Sequence, residues 1–198
     1  GAKIIQQTNE KLEQLININP SARLTCVKPE GSTSCILGTS SGIHPHHAKR
    51  YIRRVQATRL EPLYQFFRQF NGKACERSVW STNNTDDVIS FCVEVPDGAK
   101  LKNQVRAIEL LEHVKSKYKN WINKGKVEER CTQKWLTHNV SNTITVREDE
   151  WDEVTEFIFK NKEYFCGISI LPESGDKDYP QAPFTTIYNE YEMVKFYG

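Results

Sequence analysis

The sequence predicts an α/β fold in which mostly parallel strands alternate with flanking helices. Short apolar segments bounded by glycine or proline alternate along the chain with longer segments of helical periodicity. These helical segments are long enough to connect parallel strands. The chain has no repeat and no linker, and its 38% hydrophobic content suits ordinary globular packing. We therefore predict a single domain over residues 1–198.

The first 70 residues of the chain are predicted to contain three helices and one strand. Residues 3–17 carry apolar side chains at helical spacing and end before Pro20. Residues 24–27 suit a buried strand. Helices are predicted at residues 45–55 and 61–70, and the second of these has an aromatic stripe.

The rest of the chain is predicted to alternate strands with helices. In order, these are a strand at 87–95, a helix at 103–124, a strand at 142–146, a helix at 151–165 and a strand at 167–171. An arc of parallel strands leaves at least one edge unpaired, and an unpaired apolar edge is a template for another chain. The pattern therefore predicts a partner.

A glycine and three hydroxyl residues follow the first predicted strand. Pro29 and Gly31 end that strand, and Ser32, Thr33 and Ser34 offer hydroxyls beside consecutive backbone N–H groups. If a helix begins here, its unpaired amides and its dipole favour an anion at the same place. No Gly-Lys-Ser/Thr follows, so the segment is not a Walker loop. The alternative is an ordinary loop with a Ser/Thr helix cap.

Three histidines lie together at positions 44, 46 and 47 and suggest a metal site. His46 and His47 are adjacent, so they diverge by about 100° on a helix. No nearby cysteine or carboxylate completes a ligand set, and the sequence therefore predicts no metal here.

A basic run of Lys49, Arg50, Arg53 and Arg54 suggests nucleic-acid binding, the solvated face of an amphipathic helix, or an arginine that binds nucleotide phosphates. The chain has 27 basic and 25 acidic residues, and this balance favours the second interpretation. No apolar run reaches the length of about 20 residues that a membrane span needs. The N-terminus also lacks the apolar core of a signal peptide, and we expect a soluble, cytoplasmic protein.

Four segments, in order, resemble one family. They are KPEGSTSCILGTSSGIHPHHAKRYIRRV, EPLYQFFRQFNGKACERSVWS, QKWLTHNVSNTITVREDEWDEV and YFCGISILPESGDKDYPQAPF. Together they resemble the adenosylcobalamin-dependent (class II) ribonucleotide reductases, particularly the monomeric ribonucleoside-triphosphate reductase type. The resemblance covers nearly the entire chain. It implies the C-terminal portion of the ten-stranded α/β catalytic barrel of that family.

The resemblance also implies a site, a substrate and a cofactor. In that family the proline-glycine-hydroxyl loop binds the substrate's phosphates, mainly through backbone amides and hydroxyls. The residues that inherit this role here are Glu30, Gly31, Ser32, Thr33 and Ser34. The substrate would be a ribonucleotide, and the cofactor would be adenosylcobalamin, shared with the missing portion of the enzyme.

The family's radical-bearing cysteine is not found in this chain. Cys92-Val93-Glu94 has the bare spacing of the thiyl loop, but it lies in the predicted strand at 87–95. The six cysteines include no CxxC pair, and we interpret them as structural thiols. We therefore predict no catalytic residue and no metal ligand in this chain. The N-terminal portion of the reductase would be the partner that supplies the thiyl loop and the redox cysteines.

Two alternatives to this function remain open. One is a catalytically inert nucleotide-binding or regulatory module of the same family, which the missing radical loop favours. The other is a nucleic-acid-binding module, which only the basic run supports. With the reductase interpretation we expect neither nucleic acid nor a membrane as partner.

Overall fold

The computed structural model describes residues 1–173 and 179–189. Its helices are α1 (Ala2–Ile16), α2 (Gly31–Leu37), α3 (Pro62–Phe70), α4 (Ala107–Lys117) and α5 (Trp151–Lys160). Its strands are β1 (Arg50–Thr58), β2 (Cys75–Arg77), β3 (Asp86–Glu94), β4 (Ile144–Val146), β5 (Ile170–Pro172) and β6 (Phe184–Thr186). None of these helices is long and apolar enough to cross a membrane.

The chain divides into two compact units. Unit 1 comprises Gly1–Pro45 and Val105–Glu173, and unit 2 comprises His46–Gln104 and Ser174–Gly198. In unit 2, residues 174–178 and 190–198 lie outside the described residues. That residues 1–198 form a single domain stays a prediction.

The core of unit 1 lies between α4, α5 and β4. Its fully buried side chains are Leu111, Val114, Val140, Ile144, Val146 and Val154. The helix predicted at 103–124 is confirmed as α4, followed by the π-helical turn Tyr118–Ile122 and a 3-10 turn. The helices predicted at 3–17 and 151–165 are confirmed in α1 and α5. Periodic apolar side chains thus locate these three helices correctly.

The strands predicted at 142–146 and 167–171 are confirmed as β4 and β5. They pair in parallel, with Ile144 opposite Ile170 and Val146 opposite Pro172. The side chains of Ile144 and Val146 are fully buried, whereas all three residues of β5 are exposed. The parallel part of the predicted sheet is therefore this two-stranded pair.

Unit 2 contains a four-stranded antiparallel sheet in the order β2-β3-β1-β6. The pairing of β1 with β3 runs from Arg50 opposite Glu94 to Thr58 opposite Asp86. The prediction of mostly parallel strands is wrong for this sheet. The pairings of β1 with β3, of β1 with β6 and of β2 with β3 are all antiparallel. The described strands form two separate sheets and no barrel.

Two local predictions are wrong. The helix predicted at 45–55 is instead the start of β1, because Tyr51, Ile52 and Val55 favour a strand and β3 pairs with every residue of it. The strand predicted at 24–27 is absent, because Val27 forms only an isolated bridge to Val140 and Arg23, just before it, forms another to Lys126. The two bridges lead to different segments, so no ladder extends along residues 24–27. The helix at 61–70 and the strand at 87–95 are confirmed as α3 and β3.

Candidate phosphate-binding site

The predicted phosphate loop leads directly into a helix. Glu30 precedes α2 in the left-handed backbone conformation, with φ 55° and ψ 41°. Gly31 is the first residue of the helix, and the N–H of Ser34 donates to the Glu30 carbonyl at 2.9 Å. The N–H groups of residues 32 and 33 precede this bond and have no carbonyl partner within the helix. A helix start after the loop is thus observed.

The hydroxyl residues of the loop are not equivalent. Ser32 and Thr33 lie in the first turn of α2, and Thr33 is exposed. Ser34 is only 2% exposed, and its hydroxyl donates to the Gly31 carbonyl at 3.1 Å. Ser34 therefore stabilises the turn itself, whereas Gly31 and Thr33 are exposed and accessible to a ligand.

Open space adjoins Gly31. A Cβ built on this residue would meet no atom within 4 Å, and its backbone does not require glycine through a positive φ. The glycine is therefore not explained by packing within the described residues. A side chain here would occupy the space through which an anion approaches the first turn of the helix.

A second loop packs on the backbone that enters the site. The hydroxyl of Ser41 donates to the Pro29 carbonyl. Gly42 has φ +59°, and a Cβ on it would lie 2.8 Å from the Lys28 carbonyl oxygen. Sequence reasoning missed this contact, although the serine and glycine pair in GTSSG was a local signal for a tight turn.

His44 joins this second loop to the segment before β4. Its Nδ1 lies 2.8 Å from the Ser41 carbonyl oxygen, and the backbone N–H of Thr143 donates to its Nε2 at 2.9 Å. Because Nε2 accepts a hydrogen bond, the ring proton is on Nδ1, which donates to Ser41. His44 is therefore a positioning residue, a role that the sequence did not reveal.

The segment before the loop is held from two sides. The Thr25 hydroxyl donates to the Trp121 carbonyl at 2.7 Å, and the Trp121 indole N–H donates to the Cys26 carbonyl at 3.1 Å. On the other side, the N–H of Val27 donates to the Asn139 carbonyl at 3.3 Å. These bonds fix the chain just before Lys28 and Pro29.

The other histidines do not join a metal centre. His47 stacks on Phe184 with the ring centroids 5.5 Å apart. Burial lowers the pKa of His46, and its Nδ1 has no hydrogen-bond partner among the described residues. Across residues 1–173 and 179–189, no three histidine, cysteine or carboxylate side chains converge as a metal site.

The basic run contacts groups within its own unit. Lys49 pairs with Asp97 at 2.7 Å and Arg50 pairs with Glu94 at 3.2 Å. Arg53 lies over the Phe184 ring, and Arg54 donates to the Ala182 carbonyl and the Thr185 hydroxyl. These cations lie on or beside a paired strand, which does not favour a nucleic-acid interface.

All six cysteines are free thiols. Cys92 lies within β3 opposite Ile52, which agrees with its assignment to a strand.

Comparison with known proteins gives relatives of one kind. The chain is 28% identical over 191 residues to a protein of Lactobacillus acidophilus. This match covers 91% of this chain and 23% of the relative. A protein of Levilactobacillus brevis is 26% identical over 187 residues, covering 90% and 22%. A Euglena gracilis protein is 24% identical over 196 residues, covering 96% and 24%. Each is named adenosylcobalamin-dependent ribonucleoside-triphosphate reductase.

The fold is similar to that of a crystal structure of B12-dependent (class II) ribonucleotide reductase. The TM-score is 0.64 at 20% identity, over 98% of this chain and 26% of that protein. No family model matches the chain. The resemblance to this class of reductase is thus confirmed. More particularly, the three relatives given above are named ribonucleoside-triphosphate reductases. The chain spans about a quarter of their length.

Proposed function

We propose that this chain is the part of an adenosylcobalamin-dependent ribonucleotide reductase that binds the substrate's phosphates and completes the active site. In this proposal it is a C-terminal portion of the ten-stranded catalytic barrel. The reaction replaces the ribose 2′-OH with hydrogen and converts ribonucleotides to deoxyribonucleotides. The observation that carries the proposal is a similarity over about nine-tenths of the chain to reductases named for this activity.

The geometry of the loop supports phosphate binding. The open space at Gly31 admits a phosphate to the first turn of α2, where the N–H groups of residues 32 and 33 donate to its oxygens. The Thr33 hydroxyl is exposed and adds a donor. Ser34 contributes indirectly, by holding the turn through Gly31. Glu30 contributes its backbone, because an exposed carboxylate repels a phosphate.

The reductase chemistry requires groups that we assign to the rest of the enzyme. The N-terminal portion supplies the thiyl-radical cysteine and the redox cysteines. Adenosylcobalamin, when bound, supplies the radical by homolysis of its cobalt–carbon bond. The apolar groove beside α3 has few polar groups for the amides of a corrin, so no cobalamin contact is assigned to this chain.

The experiment that tests this function uses a chimaera. In it, the stretch of the L. acidophilus reductase that matches this chain is replaced by this chain. The isolated chain should form no deoxyribonucleotide from ribonucleoside triphosphates with adenosylcobalamin and a dithiol. The chimaera should form it under the same conditions. Robust turnover by the isolated chain, or turnover abolished by Cys92→Ser with the fold intact, would contradict this division of roles.

The second candidate is an inert nucleotide-binding or regulatory module, which the lack of an assigned radical cysteine favours. It predicts that the chimaera binds nucleotide but has no turnover. The same assay therefore separates the two functions.

A further inference from the structure

In unit 2, α3 is fixed on the antiparallel sheet by its inner face. Tyr64 is buried and donates its hydroxyl to Asp87, which also accepts from Arg68 Nη1 at 3.0 Å. Burial is the main cause that raises the pKa of Tyr64 above its usual range, and the hydrogen bonds with Asp87 and Cys75 raise it further. The hydroxyl thus stays a donor at neutral pH. The rings of Phe67 and Phe91 add a contact at 5.8 Å.

The outer face of α3 carries a second apolar row. Leu63, Phe66 and Phe70 are 78%, 61% and 71% exposed, and the rings of the two phenylalanines lie 5.0 Å apart. Their spacing is i, i+3 and i+7, which is the spacing by which one helix packs on another. A contiguous exposed apolar row of this kind marks an interaction surface.

This row forms one side of a groove of about 840 Å³. The sheet forms the other side through Ala57, Ile89 and Phe91. Glu61 and Asn71, which flank α3 in the sequence, are the polar residues of the groove besides Tyr64. A helix of nine residues is about 13 Å long, so the groove accommodates about two turns of a second helix.

We infer that this groove seats an amphipathic helix from the remainder of the reductase chain. This inference rests on the proposed function. The match covers only 23% of the L. acidophilus reductase, so most of that protein lies outside it and is available to cover the groove. The helix presents apolar side chains at i, i+3 or i+4, and i+7, and a lysine or arginine where it faces Glu61.

The test compares the isolated chain with the chimaera. Phe66→Glu combined with Phe70→Glu should leave the Tm of the isolated chain within about 2 °C, because both side chains are already exposed. In the chimaera the same pair should lower Tm by at least about 5 °C, whereas Phe66→Leu with Phe70→Leu should keep it. The matched control is Leu60→Glu, since Leu60 is 78% exposed but does not line the groove.

A second measurement does not depend on folding of the chimaera. Overlapping peptides that cover the L. acidophilus reductase outside the matched stretch are tested for binding to this chain by fluorescence anisotropy. One helical peptide should bind, and the double glutamate variant should weaken it at least tenfold. No bound peptide together with an unaffected chimaera would overturn the inference. The inference would also be overturned if light scattering showed that this chain forms a dimer and that the double glutamate variant does not. Neither readout involves nucleotide, so failure here is distinct from failure of the proposed function.

Discussion

His44 shows how a single side chain positions the candidate site. It donates to the Ser41 carbonyl and accepts from the Thr143 backbone N–H. Ser41 in turn donates to the Pro29 carbonyl, one residue before Glu30. The ring therefore ties the entry to the phosphate loop to the segment preceding β4.

Replacing His44 by alanine should remove both hydrogen bonds. Each such bond contributes about 0.5–1.5 kcal/mol, so we expect the unfolding free energy to fall by about 1–3 kcal/mol. His44→Gln should recover part of this loss, because its amide oxygen can accept from Thr143. Urea unfolding of the isolated chain measures the change. An unaltered midpoint in the alanine variant would show that the ring does not brace the loop.

The loop residues themselves are recognisable from local sequence, whereas their brace is not. A glycine followed by three hydroxyl residues suggests an anion site if a helix begins there, and the family resemblance assigns that role to residues 30–34. The contacts of Gly42 and His44 connect segments that are distant in sequence, and no local pattern encodes them. The site residues stay predictions, but their placement at the start of α2 agrees with the pattern.

Among the elements, α4 and α5 are linked at their N-termini by one buried carboxylate. Glu150 is 1% exposed, and its Oε1 accepts from the Ala107 N–H at 3.2 Å and from Arg106 Nε at 3.1 Å. Its Oε2 accepts from the Arg147 N–H at 3.0 Å. Burial acts to raise the pKa of Glu150, but these hydrogen bonds together outweigh it and hold the pKa below its ordinary value of 4.5.

The stability of the chain should therefore fall in acid. A carboxylate with a lowered folded-state pKa stabilises the fold above its unfolded pKa, and this contribution is lost as pH falls through the folded-state pKa. We expect the unfolding free energy to decline below about pH 4.5, and Glu150→Gln to flatten that decline while lowering stability at neutral pH. The control is Glu156→Gln, whose exposed ion pair with Lys160 contributes little. Equal pH profiles for wild type and Glu150→Gln would contradict the assignment.

The accuracy of prediction at this scale follows from the range of the interactions. α3, α4 and α5 are predictable because their apolar side chains repeat at helical spacing within one segment. β1 is not, because its conformation depends on pairing with β3 beyond an intervening helix. The antiparallel order of the sheet likewise depends on pairing between distant segments. From the sequence alone, alternating helices and strands favour a parallel sheet.

At the scale of the whole molecule, we propose that this chain is one portion of a larger reductase. The relatives are about four times as long, and the exposed row on α3 suits coverage by another part of such a protein. The substrate loop in unit 1 and the apolar groove in unit 2 have separate roles in this account. We propose that the first binds nucleotide and that the second binds protein, so variants in one should not affect the other.

Titration of the chimaera with a ribonucleoside triphosphate tests the central claim most directly. Gly31→Val should fill the open space and reduce affinity at least tenfold, while Gly72→Val should not, although a Cβ at Gly72 likewise meets no atom within 4 Å. Ser32→Ala and Thr33→Ala should each weaken binding several-fold or more, because a hydrogen bond to a charged acceptor contributes about 1.5–3 kcal/mol. Circular dichroism should show the same fold in every variant. Unchanged affinity in the Gly31, Ser32 and Thr33 variants would mean that the substrate's phosphates bind elsewhere.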